Sequence, residues 1–234
     1  MERDTLEPLT RATQAMAKHR TPSDVLQEIV EQAARCLPEF EHVSVSRIRE
    51  DRHLETLAVT TDLARQFDRV QSEARGGPCV EAGKLDEVVL VNDARHEQRW
   101  PAYIRRALPL GLRSQLGIML FSDSRGAICL NLHSTTTEQI DGGSVGVAEH
   151  FAVQAGAALG HVESADQLKT AIGTRTVIGT AIGLLMERHG IGKEAAFNYL
   201  LRDSSTSNRK IRLVAQELVQ DKEDAVARER DDDR

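Results

Sequence analysis

The residues of this chain with the clearest capacity for chemistry are cations near its C-terminal end: Arg175, Arg209, Lys210 and Arg212. A guanidinium forks onto a phosphate or onto the edge of a guanine, and an ammonium adds a point charge. The spacing puts Arg209, Lys210 and Arg212 in the first turn of a last helix, where free N–H groups and the helix macrodipole also favour an anion. Asn208, immediately before them, reads as a helix N-cap, a nucleic-acid contact or both, with the cap as the plainer reading. Charge by itself does not decide the matter, because most Lys and Arg form a solvated surface.

The other reactive side chains are sparse. There are three cysteines, Cys36, Cys79 and Cys129, an odd number without framework spacing, which fits a reducing compartment. Cys79 follows Gly77-Pro78. As a redox sensor it needs exposure and a lowered pKa, with only Lys84 nearby to supply one; the plainer reading is a small buried hydrophobe. Cys36 and Cys129 sit in apolar runs and read as core, far apart from Cys79 in sequence. Trp100, the single Trp, lies between Arg99 and Pro101 and reads as an anchor over a sheet edge, with ligand stacking as the alternative. Eight scattered histidines form no metal constellation, and no metal is expected. Gly76-Gly77 lacks the Gly-Lys-Ser/Thr of a phosphate loop, and there is no nucleophile elbow, kinase set or zinc signature. No catalytic residue and no enzymatic activity are expected, and no motif names a cofactor.

The composition sets bounds on the partners. Asp and Glu outnumber Lys and Arg by 36 to 30, so net charge does not announce a nucleic-acid grip. Distribution says more: residues 166–221 hold eight Lys or Arg against six Asp or Glu, while residues 1–165 hold eighteen against twenty-four. Aromatics make up only 3%, so the core must be aliphatic and base stacking cannot be the main recognition device. The N-terminus is charged and without a signal-like apolar stretch, and no apolar run approaches the ~20 residues of a membrane helix. A cytoplasmic protein with no membrane partner is expected.

The elements that must position these residues follow from periodicity. Residues 4–19 read as a helix, and Thr21-Pro22 starts a second that Pro38 ends. Val43 to Ile48 and a run through Leu57 and Val59 read as a hairpin turned at Glu50-Asp51-Arg52. Asp62 to Ala74 is helical, Gly76-Gly77-Pro78 a breaker, residues 79–82 a short helical turn, and Glu87 to Val91 a buried strand. Trp100-Pro101 opens a helix reaching Leu108, and Ser114 to Phe121 pairs with Ala127 to His133 in a second hairpin. From Ser144 one very long helix is expected. Phe151, Ala155, Ala158, Val162 and Ala165 repeat like a coiled-coil seam, continued by Leu168 and Ile172, with Ala152, Gly156 and Gly160 as a small-residue face for close backbone packing. Breaks at His189–Gly192 and Ser204–Asn208 make three helices of the C-terminal stretch, and the charged tail after Asp221 is expected to fray into solvent.

Two resemblances attach to these patterns. Arg175, Ile178-Gly179, Ala181, Gly183-Leu184-Leu185-Met186, Ala195-Ala196-Phe197, Leu200, Asn208, Lys210-Ile211-Arg212 and Val214-Ala215 resemble the ANTAR domain, the RNA-binding module of bacterial transcription antiterminators. Gly77-Pro78-Cys79, Glu81-Ala82, Val91, Asp93, Arg99-Trp100-Pro101, Gly111, Arg113-Ser114 and Gly126-Ala127 resemble the GAF domains that precede ANTAR modules in actinobacterial regulators. The periodicity gives an N-terminal helix over 1–20 and an α+β domain with a central antiparallel sheet flanked by helices, and the resemblance makes 21–160 a sensor domain. A coiled-coil-type helix would then run into an all-α three-helix domain over 161–221, followed by a disordered tail over 222–234. It implies RNA contacts at Arg175, Asn208, Arg209, Lys210 and Arg212, to hairpin loops of nascent transcripts, and a homodimer. It also implies an unidentified small-molecule ligand, with Cys79, Trp100 and Arg113 as pocket candidates. Two positions depart from the pattern: Ile182 stands where the family commonly carries Lys, and Asp203 where it is commonly neutral or basic, and both reduce the charge offered to RNA. A protein-docking module with Ile182 in an exposed patch, or a cysteine-dependent reductase of GAF fold, are the competing readings.

Overall fold

A computed structural model describes residues 3–85 and 88–232, which divide into two compact units, residues 1–164 and 165–234. The first unit begins with α1 (Arg3–Met16) and α2 (Pro22–Cys36). Thr21 caps α2, its Oγ1 accepting from Asp24 N at 3.3 Å, and Pro22 occupies the first helical position, where its missing N–H costs nothing. Then come β1 (His42–Ile48), β2 (Leu54–Val59), α3 (Asp62–Ala74), capped by Thr61, and α4 (Pro78–Leu85). β3 (Val89–Val91), α5 (Pro101–Ala107), β4 (Ser114–Asp123) and β5 (Gly126–Ser134) complete the sheet and its covers. Glu87, expected at the start of β3, lies outside the described residues.

The five strands are ordered β2-β1-β5-β4-β3, all neighbours antiparallel. Both hairpins form as their alternation requires, and β1 joins them by pairing with β5, Val45 opposite Leu130 and Ser44 opposite Asn131. One face is aliphatic: Val43, Val45, Leu116, Ile118, Ile128, Leu130 and Leu132 pack with α1, α2 and the N-terminal part of α6 (Gly142–His189). The opposite face carries Ser44, Ser46, Gln115, Asn131 and His133, and it is buried as well, under α3, α4 and α5. Gly117 allows this cover: a Cβ there would come within 3.0 Å of the Pro78 carbonyl, so α4 rests on bare backbone.

Two expectations for α6 are corrected here. Phe151, Ala155 and Val162 are buried in the first unit's own core, so that part of the apolar repeat is used against the sheet. The small-residue face is used there too: a Cβ on Gly156 would lie 2.0 Å from the Leu120 carbonyl oxygen, and one on Gly160 would lie 3.1 Å from the Phe121 ring. A repeat of three and four residues marks a buried stripe, and it reads the same whether the stripe meets a sheet or a second helix. Leu168 and Ile172, by contrast, are more than half exposed.

The second unit holds the rest of α6, α7 (Lys193–Thr206) and α8 (Ile211–Asp232). Its core is Ala181, Ile182, Leu185, Ala196, Leu200, Val214 and Ala215, with Ile178, Ile191, Ile211 and Leu218 packed around it. The tail expected to be unstructured continues α8 as far as Asp232; residues 233–234 lie outside the described residues.

Candidate nucleic-acid interface and candidate ligand site

The α7–α8 turn determines where the cations stand. Ser207 N donates to Asp203 O, Asn208 N to Ser205 O, and Arg209 N to Ser204 O at 3.0 Å, while Asn208 sits in the left-handed region at φ 51°. This is a Schellman closure of α7, with Asn tolerated at the left-handed position. Asn208 therefore ends α7 instead of capping α8, which corrects the sequence expectation. Arg209 and Lys210 precede α8, and Arg212 alone lies in its first turn. Leu213 N and Val214 N both donate to Lys210 O, so the backbone under Lys210 is fixed.

The four cations differ in what holds them. Arg209 Nη1 is 2.6 Å from Glu217 Oε2, an exposed pair across the first turns of α8. Among the described residues, Arg175, Lys210 and Arg212 are exposed and have no carboxylate partner. Arg212 lines a recess of about 230 Å³ together with Gln216 of α8 and Thr170, Gly173, Thr174 and Val177 of α6, which brings it alongside the helix that carries Arg175. Asp203 lies with Glu217 and Asp221 around a separate recess that carries the opposite charge. Ile182 is only 8% exposed and belongs to the three-helix core, so it does not form the surface patch that a docking module would need. His189 and Tyr199 stack at 5.7 Å on the exposed side of α7, a pair the sequence reading passed over because aromatics are so few.

In the first unit the buried polar face of the sheet forms the second candidate site. Asp68 of α3, 1% exposed, accepts from Ser44 Oγ at 2.8 Å, Ser46 Oγ, Thr56 Oγ1 at 2.9 Å and Asn131 Nδ2 at 3.3 Å. Burial raises its pKa to about 6 against the pull of these donors. Tyr103 OH donates to Gln115 Oε1 at 2.6 Å, and Cys79 N donates to Gln71 Oε1 at 3.0 Å. His133 stacks on Phe67 at 4.8 Å, and its Nδ1 lies 3.2 Å from the His42 carbonyl, which can only accept. Nε2 is therefore the bare nitrogen, and burial lowers the pKa to about 3, keeping the ring neutral. Four atoms of this set have no hydrogen-bond partner among the described residues: Gln71 Nε2, Gln115 Nε2, Asn131 Oδ1 and His133 Nε2.

The residues expected at a pocket fall around this set. Cys79 is fully buried, and its thiol lies against that of Cys129, both reduced, with burial pushing the Cys79 pKa well above the ordinary value. The reading of three widely separated cysteines is corrected for this pair, which α4 brings over β5; Cys36 packs on the opposite face. A thiol so shielded is a poor nucleophile. Trp100 Nε1 donates to Glu81 Oε2 at 3.1 Å, and the Arg99 guanidinium lies 4.4 Å over its ring, so the indole anchors α4 from outside. Arg113 is fixed through its backbone, N to Ser134 O and O to Ala94 N. None of Asp68, Gln71, Gln115, Asn131 or His133 stands out in the sequence. On a strand, a polar residue at every second position reads as a solvent face.

Among the described residues, the aliphatic face buries one cation, Arg47, and it is fully matched: 3.0 Å to Asp123 and 3.3 Å to Glu163, with Arg125 bridging the same two carboxylates. This cluster borders a recess of about 480 Å³ with Leu26, Arg49, Glu55 and Leu57. Among the described residues, no cluster of His, Cys, Asp and Glu can hold a metal ion, and no helix is long and apolar enough to cross a membrane.

Comparison with known proteins follows the division into two units. A family model described as a GAF domain matches residues 19–160, and one described as an ANTAR domain matches residues 166–219. The chain is similar in fold to the GAF domain of an Acinetobacter phosphoenolpyruvate-protein phosphotransferase, at 15% identity and a TM-score of 0.53, over 71% of this chain and 99% of that one. The GAF domain of such a phosphotransferase from Coxiella burnetii gives 18% identity and 0.54, over 70% and 96%. The bacteriophytochrome RpBphP3 of R. palustris gives 11% and 0.59 over 87% of this chain; this chain covers only 47% of that one. No curated protein matches the chain.

Proposed function

Because this chain belongs to the GAF-domain family and carries an ANTAR domain after it, we propose that it is a signal-responsive regulator of transcription antitermination. A small molecule taken up by the GAF unit alters α6, the helix that both units share, and so controls the grip of the ANTAR unit on RNA hairpin loops. The observation that carries this reading is the set Arg175, Lys210 and Arg212, exposed and without carboxylate partners among the described residues. Such cations take phosphate without first breaking an ion pair, whereas Arg209 must leave Glu217. We place the contact between two copies at Leu168 and Ile172, one turn apart on α6 and exposed, since the earlier part of the repeat is occupied. The burial of Ile182 speaks against the docking-module alternative.

A gel-shift titration with a hairpin-loop RNA at several salt concentrations tests the assignment. Lys210→Ala and Arg212→Ala should each weaken binding by roughly tenfold, the worth of one hydrogen bond to a charged group, and each should reduce the salt slope by about 1. Glu217→Gln should strengthen binding modestly by freeing Arg209. Wild-type affinity in the Lys210→Ala/Arg212→Ala double variant would remove these residues from the interface.

A further inference from the structure

The four unpaired polar atoms on the buried face of the sheet define a ligand chemistry. They come from three elements: Gln71 from α3, Gln115 from β4, and Asn131 and His133 from β5. Gln115 and His133 are directly opposite each other in the β4–β5 ladder, and Asn131 is the next residue of β5 on the same face. All four residues are fully buried. Their bonded halves fix the roles of their free halves. Gln71 and Gln115 each accept through Oε1 and are left with an amide N–H to give; Asn131 donates through Nδ2 and is left with a carbonyl oxygen; His133 is left with a bare ring nitrogen. Two donors thus stand unpaired beside two acceptors.

Charge narrows the choice of partner. Among the described residues, the buried members of this face include no Lys or Arg, so an anion would enter beside Asp68 with no counter-charge. A cation has no place at Asp68 either, because its two oxygens already accept from four groups. A hydrocarbon would leave all four unpaired atoms unsatisfied. Resting on the sensor reading above, we propose that the molecule sensed is small and uncharged, with a donor next to an acceptor on its edge. That is the chemistry of a lactam, a primary amide or a nucleobase. It reaches the sheet by displacing α4, whose first residues lie on Gly117.

The test uses pairs that differ by one carboxylate: uracil against orotate, and nicotinamide against nicotinate, with hypoxanthine added, each titrated calorimetrically into the full chain. The expected result is binding by at least one neutral compound and binding at least tenfold weaker by its anionic twin. Tyr103→Phe/Gln115→Leu removes both partners of one hydrogen bond together, so the fold is kept while one unpaired donor is lost; binding should fall at least tenfold. Equal binding of a neutral compound and its anion, no binding by any neutral compound, or undiminished binding by Tyr103→Phe/Gln115→Leu would each overturn the proposal. The RNA gel shift repeated with the bound compound separates this from the reading it rests on. A neutral compound that binds without changing RNA affinity leaves the ligand chemistry standing and sinks the sensor, and an anion that binds and changes RNA affinity does the reverse.

Discussion

The two faces of the one sheet are built to opposite rules. Under α1, α2 and α6, consecutive inward positions of β5 are Ile128, Leu130 and Leu132; under α3, α4 and α5 they are Cys129, Asn131 and His133. Both faces are buried, so the polar one has no solvent to justify its composition. Burial of an amide or imidazole without a full set of partners opposes folding, and aliphatic residues of the same volume would have served stability better. The aliphatic face does admit charge at Arg47, but there every charge is paired. On the proposal above, the unpaired groups on the other face are where the fold gives up stability for recognition.

Neighbouring residues of β5 offer the largest test of that contrast. Leu130→Ala should cost about 2–5 kcal/mol, the range for a cavity in an aliphatic core, read from denaturant midpoints. Asn131→Ala should cost only about 1–2 kcal/mol, since it loses one bond to Asp68 and also removes an unpaired acceptor. Equal losses would break the comparison.

The pH dependence of stability sharpens it next. Asp68 titrates at about 6 when folded, against an ordinary 3.8, so between these values the folded chain keeps a proton that the unfolded chain has released. Stability therefore falls as pH rises through that window, by roughly 3 kcal/mol. His133 does the opposite: its folded value of about 3 lies below the ordinary 6.5, the unfolded chain holds the extra proton, and stability rises with pH across that interval. The two largely cancel in the wild type. Urea midpoints at about pH 4 and about pH 6 should show stability rising with pH more steeply in Asp68→Asn than in wild type, and less steeply, or falling, in His133→Gln. Parallel profiles in all three proteins would mean that neither group is buried as described.

A smaller effect belongs to the aliphatic side. Gly156→Ala puts a methyl against the Leu120 carbonyl and should cost about 1–3 kcal/mol by overpacking, measured by thermal unfolding, whereas Gly179→Ala, with open space around it, should be neutral or stabilising.

Local chemistry made much of the architecture legible. Thr21-Pro22 and the two alternating hairpins read correctly because capping and pleating depend on residues a few positions apart. The β1–β5 pairing joins residues some ninety positions apart and has no such signature. Separation in sequence likewise hid the meeting of Cys79 with Cys129, 50 positions apart, and the convergence of Asp68 on Ser44 and Asn131, 24 and 63 positions away. Asn208 illustrates a different limit: one residue type serves at either end of a helix, and only its positive φ tells which.

Gly156 and Gly160 also set the mechanics of α6. They form a notch into which the edge of β4 fits at Leu120 and Phe121. Sliding the helix one turn towards its C-terminus would drive the methyl of Ala152, on the same face as Gly156, into that edge, so the notch opposes translation. If α6 tilts at this point, the strand is its fulcrum and the two arms of the helix swing in opposite senses. Probes at the exposed positions Val153 and His161, on either side of the notch, should change their distance from β4 with opposite sign when a bound molecule shifts α6. A common shift of both would mean that the helix slides.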